Sequence, residues 1–433
     1  RRSPRPLPLP RDPYRRRKEG MCRVLVRSLW FWGVLLRPTR APAHCAGRAC
    51  RGGRAGGDDD DGSGHERPVH RPGPFGECVL QIYNHTQTPE ERSSGYPRRG
   101  HDAGVPRDGP FKYNFRNWTP KPVQKDELFS VVQTNPPPCS LAAHCDWVVG
   151  SRYEHWGRLP GFTVWGDPYT VPGTIFVNTD ELETFSESLL HCIPRRHGVV
   201  LITGDHDKTT PLQTDVRYPR VLRSSTWANW LKDERILHIY VEHLDAAVAS
   251  SKVSPIPTGM NPRDAGGMSL ASAPRKVRIQ SLPLRVVEIG RQRGGRQFHE
   301  RQFVRALCNS WPWCDVANTT NEGFSAVVQK YPFLLCVHGG GIDPNPKLFS
   351  AILSGAIPIM RDFPGATMYD GWPVVRVSNW TDINTSMLAQ WRKLHAPAFE
   401  DEWLRNQTLE RLTMRHWWSK IHPPPGPRRH QSI

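Results

Sequence analysis

Residues 331 to 360, YPFLLCVHGGGIDPNPKLFSAILSGAIPIM, read as strand, glycine turn, helix, strand. Phe333 to Val337 is a short, nearly continuous apolar run, the pattern of a strand covered on both faces in a parallel sheet. His338-Gly339-Gly340-Gly341 breaks that run, because consecutive glycines allow backbone conformations that side chains forbid. Asp343 is placed to cap the helix that follows, and Pro344 or Pro346 suits its first turn, where a missing N–H costs nothing. Leu348, Ile352 and Leu353 form a core-facing stripe, Gly355 marks the stop, and Ile357 to Met360 begins the next strand. A glycine turn before a helix leaves N–H groups and the positive helix end facing outward, a seat for phosphate, and Lys347 adds a mobile positive charge. The spacing is neither GxGxxG nor GxxxxGKS/T, so on pattern alone the glycines serve equally well as a tight turn.

The 433 residues leave room for two domains of ordinary size. The formal net charge is +17, but residues 1 to 57 hold 15 Lys or Arg against Asp12 and Glu19, which leaves only +4 for the rest. Charge gathered in an Arg/Pro/Gly-rich tail, without interleaved aromatics on a folded surface, argues against nucleic-acid binding and for a disordered basic region. Within it Met21 reads as a start: Arg23 and Arg27, the apolar run Leu29 to Leu36, then Ala41-Pro42-Ala43, the order of a secretory signal peptide. That run is shorter than the roughly 20 residues that span a bilayer, so membrane association is expected only if the leader stays uncleaved. The expected organisation is a leader over 1–43, a low-complexity linker over 44–127 that includes Asp58 to Asp61, α/β domains over 128–250 and 251–422, and a tail over 423–433. Residues 65 to 127 should hold little regular structure apart from Cys78 to Tyr83.

In the first α/β domain, Thr163 to Trp165, Thr174 to Val177, Val199 to Thr203 and Ile236 to Val241 read as strands. Asn178 or Thr179 caps a helix bearing Leu182, Phe185, Leu189 and Leu190, and Trp227 to Leu231 is helical. The third of these strands ends in Gly204-Asp205-His206-Asp207, a polar loop at the sheet edge where open α/β folds bind ligands. In the second domain, strands over Arg285 to Ile289 and Val374 to Val377 flank the central unit. Helices cover His299 to Leu307 with Phe303, Ala306 and Leu307 inward, Gly323 to Gln329, Ser386 to Leu394, and Asp401 to Ile421 with Trp403, Leu404, Leu412 and Trp417 on one stripe. Of ten cysteines, Cys139 with Cys145 and Cys308 with Cys314 are candidate local disulfides, and Cys336 is a buried apolar residue. No C-x-x-C pair is present, which argues against structural zinc. Sequons at Asn84, Asn117, Asn318, Asn379, Asn384 and Asn406 agree with passage through the ER and Golgi lumen or secretion.

The quoted stretch, followed by YDGWPVVRVSNWTD at 369–382, resembles the C-terminal half of exostosin-like glycosyltransferases, including relatives in algae and protists. There a glycine turn precedes Arg or Lys, an aromatic-Glu-Ala triplet and GxIPI; VSPIPTGMN at 253–261 resembles the family's entry into the second domain. The resemblance runs from about Phe176 to Ile421. It implies a GT-B-like architecture, two Rossmann-like domains facing a cleft, with a nucleotide-sugar, a UDP-sugar, as co-substrate on the second. It also implies a glycan or glycoprotein acceptor and no metal or further cofactor. This chain departs from the family pattern at Ser350, where relatives carry Glu.

Glycosyl transfer needs the leaving diphosphate stabilised, the sugar oriented and the acceptor hydroxyl deprotonated. The donor-binding candidates are His338, Gly339, Gly340, Gly341, Asp343, Lys347 and Ser350; the base candidates across the cleft are Asp205, His206 and Asp207. On sequence alone those acids read first as caps of loop backbone in a solvated loop. Asp205 and Asp207 also fit the DxD pattern of metal-dependent GT-A enzymes, and the loss of acid at position 350 fits a degenerate glycan-binding paralogue.

Overall fold

The computed structural model describes residues 74–79, 113–116, 118–133, 138–154, 157–215, 218, 220–248, 250–261, 267–290, 298–344 and 346–422. The leader, Asp58 to Asp61, the sequons at Asn84 and Asn117 and the tail lie outside them.

Two sheets carry an α/β fold of two Rossmann-like halves. The first contains β1 (Tyr113–Arg116), β2 (Trp147–Glu154), β3 (Gly157–Trp165), β4 (Thr174–Asn178), β5 (Val199–Gly204), β6 (Ile236–Val241) and β7 (Val253–Pro255). They lie in the order β1-β3-β2-β4-β5-β6-β7, parallel throughout except for the β2/β3 pair. β1 therefore draws residues from the stretch expected to be irregular into the sheet, and residues 74–79 form a helical segment.

The second sheet is wholly parallel: β8 (Val286–Glu288), β9 (Cys314–Val316), β10 (Phe333–Leu335), β11 (Ile357–Arg361) and β12 (Val375–Val377), in the order β12-β11-β10-β8-β9. Strand order reverses between β8 and β10, and at such a point the two connecting helices leave to opposite faces and open a crevice at the strand C-termini.

Alternation within the strands shows why they are apolar on both sides. Phe333 and Leu335 enter a cluster with Ile357, Val375 and Phe399, while Leu334 and Cys336 enter another that runs on to Phe129, Phe176 and Ile202 of the first half. The helices are α1 (Leu182–Ser188), α2 (Ser224–Lys232), α3 (His299–Ser310), α4 (Phe324–Val328), α5 (Lys347–Ser354), α6 (Thr385–His395), α7 (Pro397–Glu400), α8 (Glu402–Glu410) and α9 (Met414–Ile421). Gly355 ends α5 in the left-handed conformation, φ 95°, which needs a residue without a Cβ.

Several expectations are corrected. Pro346, not Asp343, stands at the N-cap of α5, because the Asp343 carboxylate is drawn inward by buried donors described below. α3 turns Val304 and Cys308 to the core and leaves Phe303 exposed, as does an i, i+4 stripe one residue on from the one expected. The long final helix is two, since the Asp401 and Thr413 side chains cap separate starts by accepting from Leu404 N and His416 N; Trp403 faces solvent. Cys308 and Cys314 are bridged, but Cys139 and Cys145 remain thiols, and Cys192 pairs instead with Cys78, 114 residues away.

The last helix returns to the first half. Met414 N donates to Glu127 O at 2.7 Å, the Trp417 ring lies 5.3 Å from Phe129, and Tyr240 Oη donates to Lys420 O at 2.8 Å.

Candidate functional site

A cleft of about 330 Å³ opens at the crevice between β8 and β10. Gly290 borders it just beyond β8, Gly339 and Gly340 beyond β10, Lys347 and Ser350 from α5, and Arg301 from the first turn of α3. Asp207 reaches it from the loop after β5, so both halves contribute.

Lys347 is the electrostatic centre of this cleft. Its stem is partly exposed, but Nζ is buried and has no hydrogen-bond partner. Burial first, then the nearby Arg301 guanidinium, pull its pKa down from an ordinary 10.5 to about 8, against the pull of Glu288. The charge expected to be mobile is instead held in place and under-solvated. A buried ammonium without a hydrogen-bond partner is costly, and the cost is relieved by an acceptor.

The glycine turn behaves differently from a phosphate cradle. A Cβ on Gly340 would lie 1.7 Å from Asp207 Oδ2, and one on Gly341 would lie 2.1 Å from His243 Nε2. Two of the three glycines thus allow first-half side chains to press on the turn. Gly339 abuts Arg301, whose Nε donates to His338 O at 3.0 Å.

The other candidate residues separate into distinct surroundings. Asp343 is fully buried; Oδ2 accepts from Thr258 N at 2.7 Å and Oδ1 from Tyr369 Oη at 2.8 Å. Asp205, with φ 65°, accepts from Gln133 N at 2.8 Å and Asn178 Nδ2 at 3.3 Å, and its own N–H donates to buried Glu242 at 2.7 Å. Thr258 Oγ1 donates to the other Glu242 oxygen. Burial, aided by Asp205 and Asp343, pushes the Glu242 carboxyl well above its ordinary range despite that hydrogen bond. These groups tie the two halves together. His206 lies 3.5 Å from Asp180, and among the three base candidates only Asp207 borders the cleft, with Tyr218 Oη donating to it at 3.3 Å.

His338 turns toward a second cavity of about 220 Å³, bordered also by Arg361 and Trp380. Its Nε2 is hydrogen-bonded to Glu300, which accepts from Trp380 Nε1 at 2.7 Å and pairs with Arg361 at 2.9 Å. Burial would raise the Glu300 carboxyl, but these partners together hold it below its ordinary value. Ser350 Oγ faces Met260 Sδ at 3.6 Å.

Glu288, buried behind Gly290 at the back of the cleft, is the neighbouring residue that motif reading passes over. It is fully buried at the end of β8, and its signal was available: a lone acid closing an apolar strand, directly before Ile289-Gly290.

The sequence matches no protein-family profile and no curated relative. Overlapping solved structures include the pneumococcal O-GlcNAc transferase GtfA in complex with UDP and GlcNAc, at 11% identity and TM-score 0.29 over 57% of this chain and 56% of that one. An alpha1,3-fucosyltransferase overlaps at 12% identity and TM-score 0.29 over 58% and 73%, and TarM at 8% and 0.33 over 58% and 55%. The overlap spans just over half of the first and third of these proteins. Overlaps of this size carry no argument about activity.

Proposed function

We propose that the chain is an exostosin-like glycosyltransferase of GT-B type, moving a sugar from a UDP-sugar to a hydroxyl of a glycan or glycoprotein. The observation that carries this reading is the buried, unpartnered Lys347 ammonium beside Arg301 in a cleft at the strand-order reversal. Both cations are placed to take the charge that grows on a departing diphosphate, and fixed charges that need no reorganisation are the effective kind. Asp207 accepts the proton of the acceptor hydroxyl; the hydroxyl oxygen bonds to the anomeric carbon as the bond from that carbon to the diphosphate oxygen breaks. Lys347 and Arg301 do this without a metal ion. The DxD alternative is disfavoured because the Asp205 carboxylate is occupied by Gln133 and Asn178. A luminal or secreted location is supported by two disulfides and by exposed sequon asparagines at 318, 379, 384 and 406.

The test is thermal stabilisation by UDP, GDP, ADP and their sugar conjugates, with and without EDTA, followed by nucleotide release in the presence of acceptor glycans. Stabilisation by UDP that survives EDTA is expected. No response to any nucleotide at millimolar concentration refutes the reading; stabilisation without release assigns the chain to a binding-only paralogue.

A further inference from the structure

Glu288 and Lys347 each present one buried polar atom, Oε1 and Nζ, that has no hydrogen-bond partner. The carboxylate is not adrift: its other oxygen accepts from Arg305 Nε at 3.0 Å, and Arg305 donates also to Asn318 at 3.1 Å. Among the described residues no ion pair joins Glu288 to Lys347. Both groups border the same bare flank of Gly290, where a Cβ would lie 2.2 Å from Glu288 Oε1 and 3.4 Å from Lys347 Nζ.

A carboxylate oxygen only accepts and an ammonium only donates. An atom that satisfies both must carry one hydrogen and one lone pair. A phosphate oxygen suits Lys347 and is repelled by Glu288; an amine suits Glu288 and is repelled by Lys347. A hydroxyl suits both. We infer that Glu288 and one N–H of Lys347 together grip one hydroxyl of the bound donor, over Gly290, which leaves the other two N–H groups of the ammonium for diphosphate. The inference rests on the nucleotide-sugar reading and extends it: β8 supplies an acid for donor hydroxyls where Ser350 on α5 supplies none. The absence of a side chain at position 290 keeps the gap open, and Arg305 fixes the carboxylate so that Oε1 is the oxygen left for ligand.

The hydroxyl belongs either to the ribose or to the sugar, and calorimetric titration of wild type and Glu288→Gln separates them. The probes are UDP, 2′-deoxy-UDP, 3′-deoxy-UDP and UDP-glucose. In the variant the amide donates where the carboxylate accepted, so one partner is lost. If the ribose is held, Glu288→Gln weakens UDP by about tenfold or more and erases the wild-type penalty for one deoxy form. If the sugar is held, UDP binds both proteins alike, and the variant loses the advantage of UDP-glucose over UDP. Equal binding of all four probes by the two proteins overturns the inference and leaves the donor site standing. No binding of any nucleotide to wild type overturns both. Gly290→Ala, whose Cβ would meet Oε1 at 2.2 Å and push the carboxylate aside, should reproduce the loss, and it decides the matter should Glu288→Gln fail to give a cooperative melt.

Discussion

Replacing Lys347 by Met should make the protein more stable and a poorer nucleotide binder at once. Met keeps the length of the stem and removes the ammonium. The fall from an ordinary 10.5 to about 8 corresponds, at about 1.36 kcal/mol per pH unit, to roughly 3 kcal/mol stored against the folded state at neutral pH. Removing it raises the melting temperature by several degrees, at about 2–4 °C per kcal/mol for a domain of this size. The same ammonium contributes about 1.5–3 kcal/mol through a charge-assisted contact with diphosphate, so UDP affinity falls roughly tenfold to a hundredfold. Scanning fluorimetry without ligand and calorimetry with UDP read the two effects. A variant that melts lower than wild type and binds UDP as tightly refutes the reasoning, because Lys347 would then be an ordinary structural lysine.

The pH dependence of that gap carries a definite sign. Lys347 is charged in both states below about pH 8, where its cost is complete; between about 8 and 10.5 the unfolded chain binds more protons, so wild-type stability rises toward that of Lys347→Met. UDP affinity should fall over the same range and stay flat in Lys347→Arg, whose charge persists; parallel profiles for the three proteins refute this. Asp207→Asn should lower turnover about a hundredfold or more with UDP affinity nearly kept, and Gly340→Ala should imitate it by displacing the carboxylate it touches. Equal turnover by wild type and Asp207→Asn removes Asp207 as the base. Peptide mapping of unreduced protein should recover Cys78 joined to Cys192 while Cys139 and Cys145 accept alkylating reagent; Cys78→Ser should cost roughly 2–4 kcal/mol.

The strands were legible because burial on both faces makes them apolar without interruption, as at Phe333 to Leu335 and Thr174 to Val177. Gly355 was legible because a left-handed stop has few alternatives. Asp343 was not. Its local setting, before two prolines at a helix start, matches a cap, and only the distant Thr258 and Tyr369 take it elsewhere. The Cys78–Cys192 bridge was hidden for the same reason, since short spacing favours Cys139 with Cys145 and nothing local marks a pairing across 114 residues. At the cleft, Lys347 could be placed by its distance from the glycines, but the charges that act on it come from Arg301 and Glu288, and three different elements bring the three residues together.

The return of α9 to the first half has a consequence for anyone who would recombine this scaffold. Met414, Trp417 and Lys420 rest on Glu127, Phe129 and Tyr240, so the last described helix belongs structurally with the first half. A fragment cut near residue 260 would expose Phe129 and Tyr240 and should aggregate, although it holds every strand of its own sheet. A chimera that exchanges the second half should therefore splice twice, once before β8 and again ahead of Thr413. The transplanted module is then an insertion within its host, a cassette flanked on both sides by the first half.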